Sequence, residues 1–163
     1  MNKALGITGK KEIITKNAQE TGQTGRILAE EIVRGRPRER QALVIALEGE
    51  LGSGKTAFVQ GLARGLGVKE KITSPTFVIF KKFKLKQAGF FEYLYHIDCY
   101  RLSSADDLVD LDFKEIINQP TNLVVIEWAE KIKKILPAKV SWFKFEYLTE
   151  DERKIVYENF NSY

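Results

Sequence analysis

The chain has 163 residues, 44% of them hydrophobic, which fills one good core and leaves no room for a second full domain. Its formal net charge of +4 favours anionic partners only mildly, and its single cysteine, Cys99, and single histidine, His96, exclude an internal disulfide and a zinc site of the usual Cys/His kind. No apolar run approaches the roughly 20 residues of a membrane-spanning helix, and Met1 to Lys11 lacks the apolar stretch of a signal peptide; a cytoplasmic protein in a reducing compartment, with no membrane or DNA partner, is expected.

Residues 1–11 read as a loose arm to a single domain over 1–163, followed by a short strand at Glu12-Ile13-Ile14-Thr15. Asn17 can cap a helix that turns Ile27, Leu28, Ile32 and Val33 to one side and stops at Gly35 and Pro37. Arg34, Arg36, Arg38 and Arg40, interleaved with Pro and Glu, leave two readings open: a solvated loop, or a contact for a partner or RNA. Ala42 to Leu47 is an uninterrupted apolar run, as a buried parallel strand should be.

That run leads into Gly49-Glu50-Leu51-Gly52-Ser53-Gly54-Lys55-Thr56, which meets the phosphate-loop pattern at every fixed position. Glycines let successive backbone N–H groups converge on a polyphosphate where side chains would stand in the way. Lys55 is then expected to reach the β- and γ-phosphates of ATP, Thr56 to offer its hydroxyl to Mg²⁺, and the following helix to aim its N-terminus at the anion. Phe58, Leu62 and Leu66 recur at helical spacing, and Gly65 and Gly67 supply the stop.

Next comes Ile72-Thr73-Ser74-Pro75-Thr76-Phe77, where the proline disfavours a helical Ser74 and starts an extended segment. Alternation from Phe83 to Lys86, a turn at Gln87-Ala88-Gly89 and a return from Phe91 predict a hairpin with one wet, basic face. Its Lys81, Lys82, Lys84 and Lys86 suit edge protection or a binding stripe. The returning strand ends in His96-Ile97-Asp98-Cys99-Tyr100-Arg101. Asp98 stands where ligands of open α/β sheets gather, a candidate for the Mg²⁺ shell or a turn residue, while His96 and Cys99 read as packing residues. Ser103 or Ser104 then caps a helix bearing Leu108, Leu111 and Phe113.

Leu123 to Ile126 is a second apolar run, closed by Glu127 and Trp128, the arrangement of a Walker B strand. Glu127 can orient or deprotonate an attacking water or bind metal through water; Trp128 packs or borders the nucleotide. After a short helix around Ile132 and Ile135, Val140 to Tyr147 and Arg153 to Phe160 predict a second hairpin that closes the sheet at one side. The fold expected is a three-layer α/β/α P-loop NTPase domain with a mixed, partly parallel sheet and antiparallel hairpins.

The order Gly49 to Thr56, Ser74-Pro75-Thr76-Phe77, His96 to Arg101, Ile126-Glu127-Trp128 and Leu136-Pro137 resembles the bacterial TsaE (YjeE) family. The likeness runs from about Lys11 onward and includes Thr21, Gly25, Leu28 and Ala29. It implies an ATPase for N6-threonylcarbamoyladenosine modification of tRNA that is not itself the transferase. Such an ATPase binds the two-subunit threonylcarbamoyl transferase, TsaB- and TsaD-like, meets tRNA through that complex, and couples ATP hydrolysis to its turnover. The resemblance implies that Lys55, Thr76 and Glu127 are catalytic and that Gly49 to Thr56 and Trp128 hold nucleotide. It makes Thr56, Asp98 and Glu127 the Mg²⁺ side, with Thr76 in a switch-like segment. Where many members carry a glycine, this chain has Asp112, after Leu111. A small-molecule kinase and a nucleotide-regulated RNA-binding adaptor are the alternatives. Against the kinase, no Arg-rich lid segment is evident, and the hairpin from Phe77 to Asp98 interrupts the β-α alternation.

Overall fold

A strand that is apolar on both faces has to be covered on both, and the two apolar runs take the middle of the sheet for that reason. The computed structural model describes residues 10–35, 40–73, 80–109 and 112–158. Along the chain run β1 (Lys10–Thr15), α1 (Ala18–Arg34), β2 (Leu43–Gly49), α2 (Lys55–Gly65), β3 (Phe80–Ala88) and β4 (Phe91–Asp98). Then come α3 (Asp106–Val109), α4 (Phe113–Asn118), β5 (Asn122–Glu127), a 3₁₀ segment (Ala129–Ile135), β6 (Ser141–Tyr147) and β7 (Arg153–Glu158).

The strands form one sheet in the order β1-β7-β6-β2-β5-β4-β3. β2 pairs in parallel with both β5 and β6, and β4 in parallel with β5; the β3–β4 and β6–β7 hairpins and the β1–β7 pair are antiparallel. One face packs under α1 and α2, with Leu28, Phe58 and Leu62 against Ile45, Leu47 and Val125. The other lies under α3, α4 and the 3₁₀ segment, with Leu108, Phe113 and Ile132 against Val44, Ala46 and Ile126. This is the expected three-layer α/β domain with a mixed sheet.

Local chemistry sets the element ends. The Asn17 side chain accepts from the Glu20 N–H at 2.9 Å, which satisfies one orphan donor at the start of α1, and the Glu20 carboxylate reaches back to the Lys16 N–H at 2.8 Å, which ties the chain entering the helix to its first turn. α1 then lies on α2 with no side chain between the backbones. A Cβ on Gly61 would stand 1.7 Å from the Gly22 carbonyl oxygen, and one on Gly25 2.1 Å from that of Phe58. Buried Thr21 completes the seam by sharing a 2.7 Å hydroxyl contact with Thr15 at the end of β1.

Several boundaries differ from expectation. β1 starts at Lys10, paired with Glu158, inside the stretch expected to be loose. The β3–β4 turn falls at Gly89-Phe90. The single helix expected from Ser103 to Phe113 is two short ones, because Asp112 takes a left-handed backbone (φ 56°, ψ 27°) at the start of α4. Short polar side chains tolerate that region better than bulky ones, and glycine takes it at no cost, so aspartate here does what a glycine would do more cheaply. β3 is an edge strand with Lys81, Lys82, Lys84 and Lys86 exposed, which suits both readings of that series. Arg36 and Arg38 of the arginine cluster lie outside the described residues.

Candidate phosphate-binding site

The carboxyl ends of β2, β5 and β4 deliver the site. β2 runs straight into the loop 49–54, whose glycines 49, 52 and 54 all have positive φ (148°, 75° and 101°). A Cβ at Gly49 would lie 2.6 Å from the Phe145 carbonyl oxygen, so that position has no space for a side chain, and one at Gly52 would lie 2.5 Å from the Tyr147 hydroxyl and displace it. Gly54, at the N-cap of α2, brings no side chain to cap the first N–H groups of that helix. The loop therefore has the bare backbone and helix start that suit an anion.

Asp98 and Glu127 end neighbouring parallel strands and are register partners. Leu51, Gly52, Gly54, Lys55, Thr56, Asp98, Tyr100, Glu127 and Trp128 line one cavity of about 290 Å³. The expected residues Lys55, Thr56, Asp98, Glu127 and Trp128 are thus brought together, and Ser53 is buried beneath the loop. Glu50 stands beside the cavity on a neighbouring cleft that shares Trp128. Thr76 lies outside the described residues.

Lys55 is 4% exposed and folded back into its own loop. Its Nζ donates to the carbonyls of Gly49 (2.6 Å) and Glu50 (2.7 Å) and to Ser53 Oγ (3.3 Å), and lies 4.2 Å from the centre of the Trp128 ring. Burial lowers its pKa, against the opposing pull of Glu127, Glu130, Asp98 and Glu50. Trp128 holds a left-handed backbone (φ 59°), unusual for a bulky residue, and its ring sits 5.1 Å from that of Tyr100.

Behind the cavity runs a chain of side chains. The Thr56 hydroxyl donates to Glu127 Oε2 at 2.9 Å, and His96 Nε2 meets Glu127 Oε1 at 2.8 Å. Glu127 is 2% exposed and His96 is fully buried. The imidazole's other nitrogen, Nδ1, is buried without a partner, at a cost of about 1–3 kcal/mol for such a group. Asp98 Oδ1 accepts from the Tyr100 N–H at 2.9 Å.

Magnesium suits this donor set. Among the described residues no three or more His, Cys, Asp or Glu side chains form a cage of their own, whereas Mg²⁺ is usually held by one or two protein oxygens together with substrate phosphates and water. Because the Thr56 hydroxyl gives its proton to Glu127, its lone pairs are left for a cation. Thr56, Asp98 and Glu127 are the oxygens at this cavity that could hold Mg²⁺, and Glu127 is hydrogen-bonded to Thr56.

Three residues of the site were not singled out from sequence. His96 was read as packing. Tyr147 donates its hydroxyl to the Leu51 carbonyl at 2.7 Å, and Arg153 reaches the Gly52 carbonyl at 3.3 Å while stacking 4.3 Å from the Tyr147 ring. Period two supplies a signal for His96: it shares a strand face with Asp98 two residues on, so a polar side chain there points to the same side as the strand-end acid.

Residues 15–155 match the family model described as threonylcarbamoyl adenosine biosynthesis protein TsaE. The tRNA threonylcarbamoyladenosine biosynthesis protein TsaE of Treponema pallidum is 36% identical over 142 residues, 87% of this chain and 96% of that protein. The protein of the same name from Bacillus subtilis is 37% identical over 114 residues, 70% of this chain and 68% of that one. A crystal structure of Bacillus subtilis YdiB superposes with a TM-score of 0.64 at 28% identity, covering 93% of this chain and 86% of that one.

Proposed function

The chain belongs to the TsaE family of threonylcarbamoyl adenosine biosynthesis proteins, and we propose that it serves tRNA threonylcarbamoyladenosine formation as a magnesium-dependent ATPase bound to a two-subunit threonylcarbamoyl transferase. The observation that supports this reading is the meeting of Lys55, Thr56, Asp98 and Glu127 at one cavity beneath a glycine loop with positive φ.

Each side chain has a part in that reading. Lys55 leaves the Gly49 and Glu50 carbonyls and turns its ammonium to the β- and γ-phosphates, where negative charge builds as the γ-phosphoryl departs. Thr56 and Asp98 hold the metal, which when bound neutralises charge on the phosphate oxygens. Glu127 keeps the Thr56 hydroxyl oriented, and Trp128 with Tyr100 walls the cavity from solvent. Thr76 is proposed, on the family likeness alone, to approach the γ-phosphate. Hydrolysis is coupled to turnover of the transferase, and tRNA is met through that complex.

The test is phosphate release from ATP with and without the transferase pair. Wild type is expected to turn over with Mg²⁺ and to be stimulated by the pair, and Lys55→Ala, Asp98→Ala and Glu127→Ala to be impaired. Three variants that all hydrolyse ATP like wild type would remove the site assignment.

A further inference from the structure

We propose that His96 is a positioning residue: its imidazole clamps Glu127 so that the other carboxylate oxygen fixes the Thr56 hydroxyl, and through it the metal side of the phosphate site. The inference rests on the function proposed above and adds a residue to it.

Three observations carry it. Glu127 has two carboxylate oxygens, and each is engaged by a different side chain, Oε1 by His96 Nε2 at 2.8 Å and Oε2 by Thr56 Oγ1 at 2.9 Å. A carboxylate gripped at one oxygen only can swing about its last bond; gripped at both, it presents Oε2 in one place. His96 is fully buried on the α1/α2 side of β4, its register partner being Val125 two residues before Glu127. A residue kept there for packing alone would be apolar. Instead the fold tolerates Nδ1 buried with no partner, so what the imidazole contributes is the Nε2 contact to Glu127. Glu127 stands one step behind the metal-holding Thr56, and removing such a partner typically lowers metal affinity or activity about 10- to 100-fold; His96 acts one step further back, through Glu127, so the lower end of that range applies to it.

His96 is the only histidine of the chain, so its imidazole can be read without assignment. In nitrogen NMR of the nucleotide-free wild type, a proton is expected on Nε2, where it is donated to Glu127; an Nε2 that carries no proton overturns the clamp. The second measurement is Mn²⁺ binding to the ADP-loaded protein by electron paramagnetic resonance, alongside metal-free ADP binding and the kcat and KM of phosphate release. His96→Leu is expected to lose about 10-fold in Mn²⁺ affinity and in kcat, with metal-free ADP affinity and KM changed less than about twofold. His96→Gln, whose amide nitrogen lies the same number of bonds from Cα as Nε2, restores most of both.

A folded His96→Leu that binds Mn²⁺ like wild type sinks the proposal, and so does a His96→Gln as impaired as the leucine variant. Should the leucine variant not fold, the glutamine variant and the wild-type tautomer decide. A wild type that binds Mn²⁺ with ADP yet releases no phosphate with the transferase pair sinks the proposed function and leaves the clamp standing.

Discussion

β5 and β7 are both six-residue strands, yet β5 is buried at every position and ends in Glu127, whereas β7 is fully buried only at Ile155 and begins with Arg153. β5 has helices over both of its faces, so its interior can be only apolar and any chemistry it carries sits at its carboxyl end. β7 lies near the edge, where mid-strand side chains such as Lys154 reach solvent and pair with Glu146 of β6. Position in the sheet thus separates the candidate site residues from residues that brace them. The flank touches the site through Phe145, which lies against Gly49, and where its hairpin turns over the loop, through Tyr147 and Arg153.

That division breaks first at its seam, if anywhere. Phe58 of α2 sits 5.4 Å from the rings of both Phe143 and Phe145 of β6. Phe58→Ala is expected to lose about 3–5 kcal/mol in urea unfolding, in one transition; two separate transitions would mean that centre and flank fold independently. Lys55→Ala tests the centre, with about 100- to 1,000-fold lower kcat for phosphate release and an unchanged circular dichroism spectrum. Cys99 tests how well the centre is sealed. Burial pushes its thiol up to about 12, so between about pH 9 and 12 the unfolded chain ionises where the folded one does not, and stability falls as pH rises. Cys99→Ala should flatten the slope of unfolding free energy against pH in that window. For the flank, Tyr147→Phe removes one hydrogen bond to the loop and is expected to weaken ADP binding by about 2- to 10-fold, with kcat little changed. Smallest of all, Lys154→Ala should leave the urea midpoint unmoved, since its partner Glu146 is also at the surface.

The centre was legible in the sequence because its constraints are local. Glycine spacing defines the loop, unbroken apolar runs define β2 and β5, and Asp98 and Glu127 announce themselves as acids closing such runs. Tyr147 and Arg153 were not legible as site residues because nothing local says that β6 lies beside β2 with Gly49 opposite Phe145. Reading 103–113 as one helix failed because period 3.6 carries across a position that a left-handed Asp112 interrupts. His96 reads as packing for a related reason: a lone imidazole in an apolar strand is usually core, and only the neighbouring strand reveals the Glu127 carboxylate beside it.

Where α1 crosses α2, backbone meets backbone at Gly22, Gly25 and Gly61, with no side chains to yield between them. Cushioned helices can slide; these have nothing to compress at the crossing, so a shift of α2 is expected to carry α1 with it. From there the Thr21–Thr15 hydroxyl contact leads to β1, at the far border of the sheet. Close contacts thereby run from the helix that follows the loop to an outer strand, and hydrogen exchange along β1 is expected to slow when ADP is added.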